Sequence, residues 1–109
     1  MAGSFEIKTS GDGFMFNLKA ANGQVVLTSQ RYATKQGALD GVESVRVNSP
    51  LDERYDRATS TNGKPFFRLL AANKQTIGNS EMYNSEAARD NGIASVKANG
   101  ATATVKDST

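Results

Sequence analysis

The chain contains neither cysteine nor histidine, and only two prolines in 109 residues. Without thiols or imidazoles there is no disulfide, no Cys/His zinc site, no thiolate nucleophile and no Ser-His-Asp triad. Acid–base chemistry would fall to carboxylates, lysines or tyrosines at shifted pKa, which lowers the prior for an enzyme. Long apolar runs are also missing. Nothing approaches the ~18 residues of a membrane span, and the opening residues lack a basic stretch leading into an apolar one. The expectation is a cytoplasmic protein without a membrane association. Strong charge is absent too. The net charge is +2, with five basic and six acidic side chains over residues 1–53 and eight and five over 54–109. These basic residues are scattered singly, so a nucleic-acid partner is only weakly supported.

What is present is a repeat. An offset of 51 residues lays Phe16-Asn17-Leu18-Lys19-Ala20-Ala21-Asn22 on Phe67-Arg68-Leu69-Leu70-Ala71-Ala72-Asn73. The same offset matches Ser29 with Ser80, Tyr32 with Tyr83, Gly41 with Gly92, Ser44-Val45 with Ser95-Val96 and Asn48 with Asn99. Twelve of the 33 positions from residue 16 to 48 are identical without a gap, so the chain is a tandem duplication.

Each copy reads as three strands and a helix. Phe5 and Ile7 alternate with polar residues, and Phe14, Phe16, Leu18 and Ala20 alternate with Met15, Asn17 and Lys19, as in half-buried strands. Asn22-Gly23 predicts a type I′ hairpin with positive φ at both residues, Asn73 a positive-φ turn residue in the second copy, and Val25 to Thr28 a third strand. The second copy repeats this with strands over 54–59, 66–71 and around Thr76-Ile77. Thr34 and Ser85 are predicted helix N-caps, while Asn48 and Asn99 fall where a left-handed C-cap is expected. Gly41 and Gly92 sit mid-helix in both copies. A helix glycine costs about 1 kcal/mol against alanine, so close packing of the helix backbone against the sheet is expected there.

Together these features predict one α+β domain over residues 1–109, with repeats at approximately 4–53 and 54–107. The units are of β3-α-β type, forming a single mostly antiparallel sheet with both helices on one face and exchanged C-terminal strands. The 54–59 segment is expected to pair with both halves, and residues 1–50 alone are too small to bury a core.

The repeated Phe-x-Leu-x-Ala-x-Asn, Ser-x-x-Tyr-x-Ser/Thr and Gly-Ile/Val-x-Ser-Val-Lys/Arg-x-Asn, running from Phe5 to Asp107, resemble the bacterial YegP family. The resemblance implies the tandem β3-α-β sheet with exchanged last strands. It also implies that single-copy relatives would build the same object as a homodimer. It brings no active-site or cofactor residues with it.

Three regions are candidates for function. The open sheet face would display Met15, Asn17 and Lys19 beside Phe66, Arg68 and Leu70, an apolar patch rimmed by charge that suits a protein partner. The same aromatic and basic interleaving also suits single-stranded nucleic acid. The loops carrying Ser29 and Tyr32, and Ser80 and Tyr83, precede the helix N-termini and could hold a small ligand. Asp52/Glu53 and Glu81/Glu86 read as solvated surface charge, and Gly11-x-Gly13 lacks the context of a dinucleotide fingerprint. The resulting expectation is a monomeric, non-enzymatic binding module that is a pseudo-dimer of repeats. It has no catalytic residues, no metal site and no cofactor.

Overall fold

The computed structural model describes residues 3–109. Strands β1 (Ser4–Ser10), β2 (Gly13–Lys19) and β3 (Val25–Ser29) lead into helix α1 (Lys35–Asn48). A single 3-10 turn, Asp52–Arg54, then introduces β4 (Tyr55–Thr59), β5 (Pro65–Leu70), β6 (Thr76–Asn79), helix α2 (Glu86–Asn99) and β7 (Thr104–Asp107). The fold is α+β, with one seven-stranded sheet in the order β4-β5-β6-β3-β2-β1-β7. Every pairing is antiparallel except β7 on β1. No helix among the described residues is long and apolar enough to cross a membrane.

The two copies meet at β3 and β6, where Thr28 pairs with Asn79 and Ser29 with Gly78. Gly78 stands at the position of Leu27 in the other copy. A Cβ on Gly78 would lie 2.7 Å from the Thr28 carbonyl oxygen and 3.1 Å from Leu27 Cγ. Leu27 is fully buried, so only one of the two equivalent sites can carry a side chain. Each helix leans across this seam. α1 packs on β2, β5 and β6, and α2 packs on β5 and β3.

Alternation puts Phe5, Ile7, Phe16, Leu18, Phe67 and Leu69 beneath the helices, where they form one core with Val42, Val45, Ile93 and Val96. Beside each hairpin turn the register slips by one residue, between Leu18 and Lys19 and between Leu69 and Leu70. These bulges add Val26 and Ile77 to the same core. The predicted N-caps are present: Thr34 Oγ1 accepts from Gly37 N–H and Ser85 Oγ from Ala88 N–H, each at 3.0 Å.

Three expectations are corrected. The strand at Tyr55–Thr59 pairs with β5 alone and is an edge, because the halves are joined instead by the β3–β6 seam and by β7 on β1. Asn48 and Asn99 are not left-handed caps. Both helices end in right-handed backbone at Ser49 and Gly100, and each Asn amide donates to the carbonyl four residues earlier, that of Ser44 or Ser95. At the hairpins the positive φ belongs to Gly23 and Lys74, one residue after the asparagines. Asn22 and Asn73 act through their side-chain oxygens, which accept from Gln24 and Gln75 N–H at 3.0 Å.

The glycines in mid-helix have a specific cause. Tyr32 stacks on Phe16 with ring centroids 6.3 Å apart, and Tyr83 on Phe67 at 6.4 Å. A Cβ at Gly41 would lie 2.8 Å from Tyr32 Cζ, and one at Gly92 2.7 Å from Tyr83 Cζ. Each helix therefore approaches a tyrosine ring through a gap that only glycine leaves.

Candidate functional site

The face away from the helices carries a row of one side chain from every strand. Following the register, it runs Asp56, Arg68, Asn79, Thr28, Asn17, Glu6 and Lys106. It is a continuous line because residues paired in adjacent strands point to the same side of a sheet. Arg68 Nη1 donates to Asp56 Oδ2 at 3.0 Å, and Thr28 Oγ1 donates to Asn17 Oδ1 at 3.1 Å. Glu6 takes Lys19 at 2.7 Å, Lys8 at 3.6 Å and the Ser108 hydroxyl at 3.0 Å.

The hydrogen bonds from Lys19 and then Ser108 hold the Glu6 carboxyl down at about 2. Lys35, followed by Thr109, does the same for Asp107, also to about 2. Both carboxylates border the β1–β7 pairing. A folded-state pKa below the unfolded value gives stability that is fully present above the ordinary carboxylate range. That stability is lost as pH falls through the range toward the folded value. Glu6→Gln is therefore expected to flatten the decline of the melting temperature between about pH 4.5 and pH 2. Thermal melts of both proteins at stepped pH would expose an unchanged slope, which would remove Glu6 from the account.

Met15, Lys19, Phe66, Arg68 and Leu70 do share this face, but they do not form one patch. β6 and β3 lie between β5 and β2, a distance of roughly 14 Å at ordinary strand spacing. Phe66 is only 7% exposed, with the Arg68 guanidinium 4.8 Å from its ring centroid. Polar side chains fill the space where the sequence suggested apolar continuity. Asn79, Thr28, Glu6 and Lys106 were missed because alternation gives each strand's face but not which strands adjoin.

In the second region, the serines serve the backbone. Ser29 Oγ accepts from Phe16 N–H at 2.9 Å and Ser80 Oγ from Phe67 N–H at 2.9 Å. Each hydroxyl then donates to the next carbonyl, of Gln30 or Glu81. They continue the ladder where β3 and β6 turn away from their hairpin partners. Burial pushes both tyrosine pKa values up, with Glu81 adding to the effect at Tyr83. Tyr83 also borders a cleft of about 460 Å3 between the β2–β3 hairpin tip and α2. Among the described residues Glu81 is the only charged one lining it, beside Asn22, Gln24, Asn91 and Ser95. Tyr32 borders another of about 480 Å3 with Asp12 and Arg31. Among the described residues no cluster of acidic side chains has metal-site geometry.

The model of the domain of unknown function DUF1508 matches residues 10–56 and again residues 60–107. The chain belongs to the DUF1508 family. It is 56% identical over 110 residues to a UPF0339 protein of Shewanella oneidensis, covering all of both chains. It is 54% identical to the UPF0339 protein YegP of Escherichia coli K12, again over the full length of both. The solution NMR structure of Escherichia coli yegP, described as a protein of unknown function, superimposes with a TM-score of 0.93 at 55% identity. That match covers 100% of this chain and 95% of the other. The solution structure of the Shewanella oneidensis UPF0339 protein gives 0.90 at 56% identity, covering 98% and 92%. The likeness to YegP read from the repeated motifs is therefore a family relationship, and the two DUF1508 matches correspond to the two copies.

Proposed function

We propose that this DUF1508 protein is a monomeric, non-enzymatic binding module of the cytoplasm that takes an acidic polypeptide segment across its open sheet face. The observation that supports this reading is the unbroken polar row, one side chain per strand, on a face that neither helix covers. Thr28 and Asn79 supply hydrogen-bonding groups at its centre, with Asn17, only 8% exposed, holding the Thr28 hydroxyl from beneath. Lys8, Lys19, Arg68 and Lys106 outnumber Glu6 and Asp56 around it, so the face is net basic. Charge of this kind favours an acidic partner and speeds its encounter.

The covered ring of Phe66 weighs against single-stranded nucleic acid, which needs exposed aromatic faces for stacking. Among the described residues, the large apolar side chains that are exposed, Val47, Met82 and Val105, are not aromatic.

The test is an NMR titration of the whole protein with a glutamate-rich peptide at low salt. Shifts at Asn17, Thr28, Arg68 and Asn79 are expected, with affinity reduced about tenfold by Arg68→Glu. Shifts confined to the helices, or stronger perturbation of this face by a single-stranded RNA oligomer, would refute the proposal.

A further inference from the structure

The cleft of about 460 Å3 between the β2–β3 hairpin tip and α2 has one wall from each copy. Its volume lies within the roughly 300–1,000 Å3 that small ligands occupy. On the helix side, Ala88, Gly92 and Ser95 follow at spacings of four and three residues, so one face of α2 presents small side chains to the hairpin. On the strand side the turn is closed by Ala20 N–H on the Gln24 carbonyl and Gly23 N–H on the Ala20 carbonyl, each at 2.9 Å. Stacking on Phe67 fixes the Tyr83 ring between them. We infer that this cleft binds a small hydroxylated primary amine, an amino sugar in the simplest case, with Glu81 receiving its ammonium group. The inference rests on the cleft alone and is independent of the open sheet face.

The charge of the ligand follows from what the cleft leaves unpaired. Among the described residues no lysine or arginine lines it, and the Glu81 carboxylate takes part in no ion pair. An ammonium would supply the missing countercharge, whereas a carboxylate or phosphate would be repelled. Glu81 is near enough to Tyr83 to add to the upward shift of its hydroxyl pKa. Tyr55 gives its hydroxyl to the Ser49 carbonyl at 2.7 Å, but the Tyr83 hydroxyl has no partner among the described residues. An ammonium has three donors, so one group can serve both the carboxylate and the phenol oxygen. The rest of the lining suits hydroxyls. Gln24 and Asn91 each offer an amide donor and acceptor, and Ser95 a hydroxyl. Asn22 offers chiefly its amide N–H groups, since its Oδ1 already accepts from Gln24 N–H.

The duplication separates this frame from its charge. The offset of 51 residues carries Ala20, Gln24, Tyr83, Gly92 and Ser95 onto the identical Ala71, Gln75, Tyr32, Gly41 and Ser44. The neutral lining therefore occurs in both copies. The carboxylate does not, because Glu81 answers to Gln30. Asn91 answers to Asp40, whose carboxylate already accepts from Gln36 Nε2 at 3.0 Å. A free carboxylate beside the tyrosine thus belongs to one copy, and one amine is expected per chain.

The probes are glucosamine, glucose, glucuronate and butylamine, each titrated into the intact 15N-labelled protein at slightly acidic pH. Glucosamine is expected to shift Gln24, Glu81, Tyr83 and Ser95 and to bind more tightly than glucose or butylamine, with glucuronate weakest. Glu81→Gln should weaken glucosamine by up to about fivefold, as for an exposed ion pair, and leave glucose unchanged. Tyr83→Phe keeps the ring, loses the hydroxyl and should also weaken glucosamine. Arg68→Glu, which impairs the acidic peptide, should not. Silence at the cleft up to high millimolar glucosamine would overturn the proposal. So would glucose or glucuronate binding as tightly as glucosamine, an unaltered affinity in Glu81→Gln, or a loss caused by Arg68→Glu.

Discussion

Phe67→Ala is expected to remove about 3–5 kcal/mol of folding stability, a large share of the roughly 5–15 kcal/mol available to a domain of this size. Phe67 is fully buried on the helix side of β5. Its ring meets Tyr55 edge-on at a centroid separation of 5.7 Å and stacks on Tyr83. It therefore ties the edge strand, the second sheet unit and α2 into one packing group. Truncation loses the transfer free energy of the ring and leaves a cavity between elements that cannot collapse independently. Phe66, its neighbour in sequence, points the other way, lies outside that core and has the Arg68 guanidinium 4.8 Å from its ring centroid. Phe66→Ala should cost clearly less. Urea denaturation would show this as a larger fall in midpoint for Phe67→Ala at similar slope, and the reverse order would contradict the packing described.

The second large effect runs against helix propensity. Alanine is favoured over glycine in a helix interior by about 1 kcal/mol, so Gly92→Ala judged by propensity alone should stabilise the protein. The new methyl group would, however, lie 2.7 Å from Tyr83 Cζ and 3.2 Å from Phe67 Cε2. Overpacking of this kind costs about 1–3 kcal/mol, and the substitution is expected to be destabilising on balance. Tyr83→Leu in the same background should recover part of the loss, because it removes the atoms that collide. A double-mutant cycle measures that coupling directly. A stabilised Gly92→Ala, or strictly additive effects, would show that the helix stands off from the tyrosine.

These two cases also mark what was legible in the sequence. Strands, hairpins, helices and their caps could be read because each depends on a few neighbouring residues. Thr34 needs only Gly37 within reach, and Phe67 only an alternating strand. The repeat then gave the architecture. What was hidden depended on residues distant in the chain. The glycine in each helix was legible as a close approach, but its partner, a tyrosine stacked on a strand phenylalanine, was not. Tyr55–Thr59 was expected to bridge both halves, since nothing local says that β3 and β6 form the seam. For the candidate surface, alternation put Met15, Lys19, Phe66, Arg68 and Leu70 on one face correctly. It could not reveal that two strands separate them, nor that Thr28 and Asn79 lie between. The Ser-x-x-Tyr spacing was visible, yet the serines' ladder role follows only from where β3 and β6 turn away.

The pairing of β7 with β1 joins Ser4 to Thr104, nearly the two ends of the chain. During synthesis at about 5–20 residues per second, β1 would wait on the order of 5–20 s for this partner to be made. In that interval the emerging first copy has β2 beside β1 but no β7 outside it, and β3 still lacks β6. Loop closure across so long a span is slow, and unpaired strand edges are where nascent chains associate wrongly. The four-residue strand β7 thus covers the outer edge of β1 only after both helices have been made. The sheet cannot be closed at its first strand until the residues of β7, about a hundred positions later in the chain, have been made.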